Sequence, residues 1–170
     1  MKTYLLITAA LVAAPHLVQA PQLAKVEADG LRYMREEEKL ARDVYRQLEI
    51  KWGARPFGNI SRAEETHMAS VKTLLDTYKL DDPAAANPAG KFTNKDLQKL
   101  YADLVSKGSK SRVDALQVGC LIEELDIKDL QDRSAQTQRP DIKSVYDNLT
   151  RGSRNHLRAF YGALKQSGGK

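Results

Sequence analysis

Four stretches of this chain repeat apolar residues every three to four positions, and that period constrains the fold more than any other feature. A spacing near 3.6 lays one apolar stripe along a helix, whereas a half-buried strand needs strict alternation. No run alternates with period two between turn signals, so no strand is expected. The first helical stretch runs from about Ala28 to Ile50 and stops near Gly53 and Pro56. In the second, Ser61 is placed as an N-cap with Glu64 completing a capping box, and the helix continues to about Tyr78. The third runs from Ser111 to Leu130, and Pro140 opens a fourth that reaches Leu164. Asp81 to Gly90, with Pro83 and Pro88, reads as loop, and Thr93 is expected to cap a short helix that Gly108 closes. Four long helices with a connection of about thirty residues in the middle fit a bundle with one long crossover. At 170 residues the chain builds one cored domain, residues 21–170, rather than two.

Residues 1–20 read as an export signal. Lys2 gives the positive start, Tyr4 to Ala14 the apolar middle, and Val18-Gln19-Ala20 a small-residue cleavage pattern, with Pro21 directly after it as an obstacle. The apolar run is too short to span a bilayer, so the expected location is periplasmic or secreted, without a stable membrane anchor. Cys120 is the sole cysteine, which excludes an intramolecular disulfide and a four-cysteine metal site. The formal charge of +5 is spread along the chain and aromatic residues make up 6%, both of which argue against a nucleic-acid partner.

The polar residues on the apolar stripes carry the functional signal. At about 100° per residue, the first helix has its stripe at Tyr33, Leu40, Ala41, Val44 and Leu48, with Glu37 at the centre and Glu36 and Glu38 to the side. In the second, Glu64 and His67 lie among Met68, Val71, Leu74 and Leu75. In the third, Glu123 is central, with Asp126 one turn on; in the fourth, His156 lies among Val145, Leu149 and Phe160. An ionised carboxylate in a dry interior costs on the order of several kcal/mol unless a counter-charge accompanies it. Glu37, Glu64, Glu123 and Asp126 supply four negative charges, which two divalent cations balance, and His67 and His156 add neutral nitrogen ligands. Such oxygen-rich donors suit iron, with manganese as the alternative. Tyr33 reads as a core aromatic, with a hydrogen bond to the site as its other role, and Cys120 reads as packing.

The series Glu37, Glu64-x-x-His67, Glu123-x-x-Asp126, His156 resembles the ferritin-like di-iron carboxylate pattern, nearest the rubrerythrin arrangement. The phrases Tyr33-Met-Arg-Glu-Glu-Glu-Lys-Leu-Ala-Arg-Asp-Val-Tyr45 and Ser153-Arg-Asn-His-Leu-Arg-Ala-Phe160 are similar to a prokaryotic ferritin-like family of unknown function. The resemblance implies an all-α, ferritin-like four-helix bundle with a dinuclear centre in which Glu37 and Glu123 are terminal ligands and Glu64 bridges. Two departures stand out. The fourth helix has Ser153 where the pattern has Glu, and the third has Asp126 where it has a second Glu, for which Glu124 is a partial substitute. If the centre holds iron, the expected activity is that of an oxidase or peroxide-reducing oxidoreductase drawing on an external electron donor. The alternative is a metal-binding or sequestering protein without turnover. The sequence leaves the oligomeric state open.

Overall fold

The computed structural model describes residues 23–168, and within them the chain is all-helical. Its elements are α1 (Lys25–Trp52), α2 (Arg55–Thr77), α3 (Lys95–Gly108), α4 (Arg112–Ala135) and α5 (Pro140–Gln166). The export signal expected at 1–20 lies outside the described residues. No helix among those described is long and apolar enough to cross a membrane.

The element ends follow local chemistry. α1 stops at Gly53, whose φ of 59° is the left-handed conformation glycine tolerates, and its N–H closes on Glu49 O. α2 begins at once, with Pro56 in its first turn. It therefore starts six residues before the expected cap. Ser61 lies inside the helix, donating to Gly58 O, and Glu64 is turned into the interior instead of back toward a helix end. α3 is capped by Asn94, which accepts from the backbone N–H groups of Asp96 and Leu97, so the cap is one residue after the expected Thr93. Ser111 caps α4 through Asp114 N, and Pro140 opens α5.

α1 packs most extensively on α2, and α4 on α5; α1 also meets α4, and α2 meets α5, so the four long helices close a ring in the order α1–α2–α5–α4. The segment from α2 to α4 carries α3, which packs on α1 and α4. Polar groups on α1 fasten this crossover. Arg35 pairs with Asp82, Glu36 accepts from the backbone N–H groups of Thr93 and Asn94, and Asp43 accepts from Gly90 N. Lys39 Nζ donates to Asp43, Pro88 O and Lys91 O at 2.7, 2.8 and 3.0 Å.

The core is split along the helix axes. One apolar cluster contains Leu40, Val44 and Tyr45 from α1, Phe57 and Ile60 from α2, Ile122 from α4 and Phe160 from α5. The other contains Leu31 and Met34, Val71 and Leu75, Leu130, and Tyr146 and Leu149 from the same four helices. Each long helix thus leaves one gap between the clusters, and the gaps are level. They contain Glu37 and Glu38, Glu64 and His67, Glu123 and Asp126, and Ser153 and His156.

Candidate metal centre

The polar layer converges on Glu64. Its carboxylate is divided between two imidazoles: Oε2 lies 2.7 Å from His67 Nδ1, and Oε1 lies 3.0 Å from His156 Nδ1. Each histidine has a second carboxylate. Glu38 Oε2 is 3.2 Å from His67 Nδ1, and Glu123 Oε2 is 3.5 Å from His156 Nδ1. The rings stack at 5.3 Å between centroids, 27° from parallel. Ligand atoms of Glu64, His67 and His156 all lie within 4.8 Å of one another, close enough to share a metal ion. The two histidine side chains are 12% exposed and the glutamates 1–2%, so the cluster is nearly closed to solvent, with the imidazoles its most exposed members.

The helix backbones set these positions. Glu64 and His67 are three apart on α2 and so lie on one face. Gly152 on α5 makes room for His67: a Cβ there would come within 2.4 Å of Nε2. The His67 ring is thereby backed against α5, with Nδ1 toward the carboxylates. Tyr45, seven residues after Glu38 on α1, donates from its hydroxyl to Glu123 Oε1 at 2.6 Å, leaving Oε2 for His156.

The electrostatics are those of acids with too few cations. Burial raises the Glu38 and Glu123 pKa values, which the adjacent imidazoles only partly offset, and both stand at about 7. Glu64 is also opposed by burial, but His156 and His67 overcome it and bring its pKa down to about 2. Burial would lower the histidines, yet Glu38 and Glu64 drive His67 up to about 11, and Glu123 and Glu64 drive His156 up to about 9. Without a metal the layer therefore balances itself with imidazolium protons and protonated acids. The balance is incomplete: Glu38 Oε1 is buried without a hydrogen-bond partner, and the contacts of Glu64 Oε2 with His67 and of His156 Nδ1 with Glu64 are close in distance but poorly aligned for hydrogen bonds. A buried polar atom left unpaired costs about 1–3 kcal/mol, and Glu38, Glu64 and His156 all belong to this one layer of ion pairs. Carboxylate and imidazole donors so arranged fit divalent cations.

The structure differs from the sequence expectation on α1. Glu37 and Glu38 are both buried, but Glu38 reaches His67, while Glu37 faces Asp129 and Arg133 on α4. The wheel misses this because Met34 to Ala41 are all buried: neighbouring helices cover one side of α1 and the crossover the other. A second apolar stripe, Leu31, Met34, Ala41, Tyr45 and Leu48, passes through Glu38 and was the available signal. The tyrosine that bonds the cluster is Tyr45; Tyr33 instead lies under the Arg133 guanidinium, 4.1 Å from the ring centre, and contacts Asp129. Asp126 is buried beside Glu38 and Glu123 and accepts a hydrogen bond from Ser153 Oγ, whereas Glu124 is exposed. Glu64, His67, Glu123 and His156 come together as the sequence placed them.

The family profile described as an uncharacterized protein domain, DUF2202, matches residues 27–170. The chain belongs to the DUF2202 family. This DUF2202 chain is 51% identical over 146 residues to the uncharacterized protein MJ0754 of Methanocaldococcus jannaschii, an alignment covering 86% of this chain and 79% of that protein. The crystal structure of the hypothetical protein MJ0754 from Methanococcus jannaschii superposes with a TM-score of 0.86 at 49% identity, covering 92% of this chain and 89% of that one. A crystal structure of a DUF305 fragment from Deinococcus radiodurans gives a TM-score of 0.59 at 16% identity, covering 86% and 99%, a likeness of fold alone.

Proposed function

We propose that this DUF2202 protein is an exported, ferritin-like metal protein whose four long helices hold two divalent cations. Glu38, Glu64 and His67 hold one, and Glu64, Glu123 and His156 the other, with Glu64 as the bridge. The observation that carries this reading is the division of one buried carboxylate between two imidazole nitrogens, each backed by a further carboxylate. The closed ring α1–α2–α5–α4, with its long crossover through α3, supports a ferritin-like four-helix bundle. Oxygen-rich donors with one imidazole per ion favour iron, then manganese.

An iron pair supplies a two-electron redox couple with coordination positions open to oxygen or peroxide, recharged by an external electron donor. The chain's own part is to fix the donors and keep the site dry. Tyr45 orients Glu123, the α5 backbone at Gly152 orients His67, and the two apolar clusters seal the layer at both ends. A second reading is metal holding without turnover. Ser153 favours it, because a hydroxyl occupied with Asp126 stands where the ferritin-like pattern has a carboxylate.

Elemental analysis after loading the metal-free chain with ferrous iron, followed by oxygen and peroxide consumption with an artificial reductant, tests both. Two ions per chain and sustained consumption, both lost in Glu64→Ala and His67→Ala, support the redox reading. Two ions without sustained consumption select the holding reading. Metal content unchanged in the two variants overturns both.

A further inference from the structure

Three helices contribute arginines to one surface groove of about 750 Å³: Arg55 opens α2, Arg112 opens α4, and Arg158 comes from the C-terminal part of α5. No carboxylate lines the groove, and residues 148–170 of the sequence contain no acid at all. Elsewhere on this surface exposed cations find acids, as Arg46 does with Glu65, Lys72 with Asp76 and Lys128 with Asp132. Arg55 and Arg112 have no such partner among the described residues, and Arg158 donates only to the neutral amide oxygen of Asn155. Like charges around a shared hollow repel, and no described group offsets that repulsion. α2 adds to it, because it begins here with no capping side chain and no acid in its first turn, which leaves its positive end uncompensated.

The chemistry of the lining selects the anion. Guanidinium forks match the oxygens of carboxylates and phosphates. Three of them exceed what one carboxylate can balance, whereas a phosphoryl group carries close to two charges on three terminal oxygens. The rest of the lining is small and largely apolar, with Pro56, Ala159, Gly162 and Ala163, and a Cβ at Gly162 would meet no atom within 4 Å. The volume is more than an inorganic ion needs and falls in the ~300–1,000 Å³ range of small-molecule sites. We propose that this groove binds a phosphate ester, its phosphoryl group held by Arg55, Arg112 and Arg158 and its organic part laid over Gly162. The ester is either a soluble molecule or the headgroup of an anionic phospholipid. The inference does not rest on the metal reading, since none of these residues belongs to the Glu64 cluster.

Calorimetry of the full chain at physiological salt, with and without bound metal, tests the site with phenyl phosphate and inorganic phosphate as probes. Phenyl phosphate is expected to bind one per chain, more tightly than inorganic phosphate and equally well in the metal-free protein. Arg55→Ala, Arg112→Ala and Arg158→Ala should each weaken it about tenfold or more, and Gly162→Leu should block it by filling the hollow. Arg151→Ala and Arg154→Ala remove the same charge from α5 outside the groove and should leave binding unchanged. Sedimentation with phosphatidylglycerol vesicles, against phosphatidylcholine vesicles, identifies the source: retention lost in the groove variants assigns a lipid headgroup, and no retention beside intact phenyl phosphate binding assigns a soluble ester. Absence of saturable binding, equal affinity for the two phosphates, or equal losses in Arg151→Ala and Arg158→Ala overturns the proposal. Binding confined to the metal-loaded protein overturns it too and moves the anion to the metal centre.

Discussion

Tyr45 and Glu123 join α1 to α4 through a 2.6 Å hydrogen bond in which the fully buried phenol donates to the carboxyl Oε1. Phe57 and Phe160 pack on the Tyr45 ring, with centroids 6.1 and 5.0 Å away, so the phenol has little freedom to turn elsewhere. Removing the hydroxyl leaves Glu123 one donor short in a dry interior. Tyr45→Phe should therefore fold but lose about 1–3 kcal/mol in the metal-free state, measured by urea unfolding. The loss should shrink when metal is bound, because a cation then holds the same carboxylate.

Metal uptake should expel protons. Donation by His67 and His156 requires neutral imidazoles, yet their pKa values stand at about 11 and 9, and Glu38 and Glu123 at about 7 hold part of a proton each at neutral pH. Each proton displaced makes binding more favourable as pH rises, so apparent affinity should climb steadily from pH 6 to pH 8. Calorimetry of Mn²⁺ binding in buffers of different ionisation enthalpy counts the protons. Release of none, or affinity that falls with pH, would contradict the assigned ligands.

Gly152→Ala tests how the His67 ring is held. The added Cβ would come within 2.4 Å of Nε2, so the ring must move although no ligand is altered. Overpacking of this kind costs about 1–3 kcal/mol. Displacing the imidazole from Glu64 should weaken metal binding by roughly tenfold or more, the scale typical of disturbed ligand support. Metal titration beside thermal unfolding distinguishes a misplaced ligand from a merely looser core.

What the sequence made legible follows the number of surfaces each helix touches. α2 and α5 expose one side, so their stripes placed Glu64, His67 and His156 inward. α1 has no exposed side over Met34 to Ala41, and its buried Arg35, Glu36, Lys39 and Asp43 bond the crossover rather than the centre. Burial there does not separate Glu37 from Glu38, and only the stripe through Leu31 and Tyr45 does. The Lys39 and Glu36 contacts to the crossover were illegible because they join α1 to residues some fifty positions away through backbone atoms, which carry no side-chain signature. Capping signals misled for a related reason: Ser61 and Glu64 have the spacing of a capping box, but Pro56 and the turn at Gly53 start the helix earlier.

Acid should release the crossover before the helices. Burial opposes the Asp82 charge, but Arg35 and the N–H of Ala84 overcome this and hold its pKa below the usual carboxylate range. A carboxylate whose folded pKa is depressed contributes its full stability above the unfolded value of about 3.9. That contribution is lost as pH falls through the lower folded value. Asp82→Ala should thus cost about 1–2 kcal/mol at neutral pH, the scale of a hydrogen-bonded ion pair, and progressively less as the medium is acidified below the carboxylate range. Arg35 also donates to Met68 O, so the guanidinium keeps one buried partner and the helices should stay packed. Limited proteolysis reads the local effect: cleavage should rise within residues 80–94 while the far-ultraviolet helical signal is retained. Equal acid sensitivity in Asp82→Ala and the wild type would remove the Arg35–Asp82 pair from the forces that hold this segment to α1.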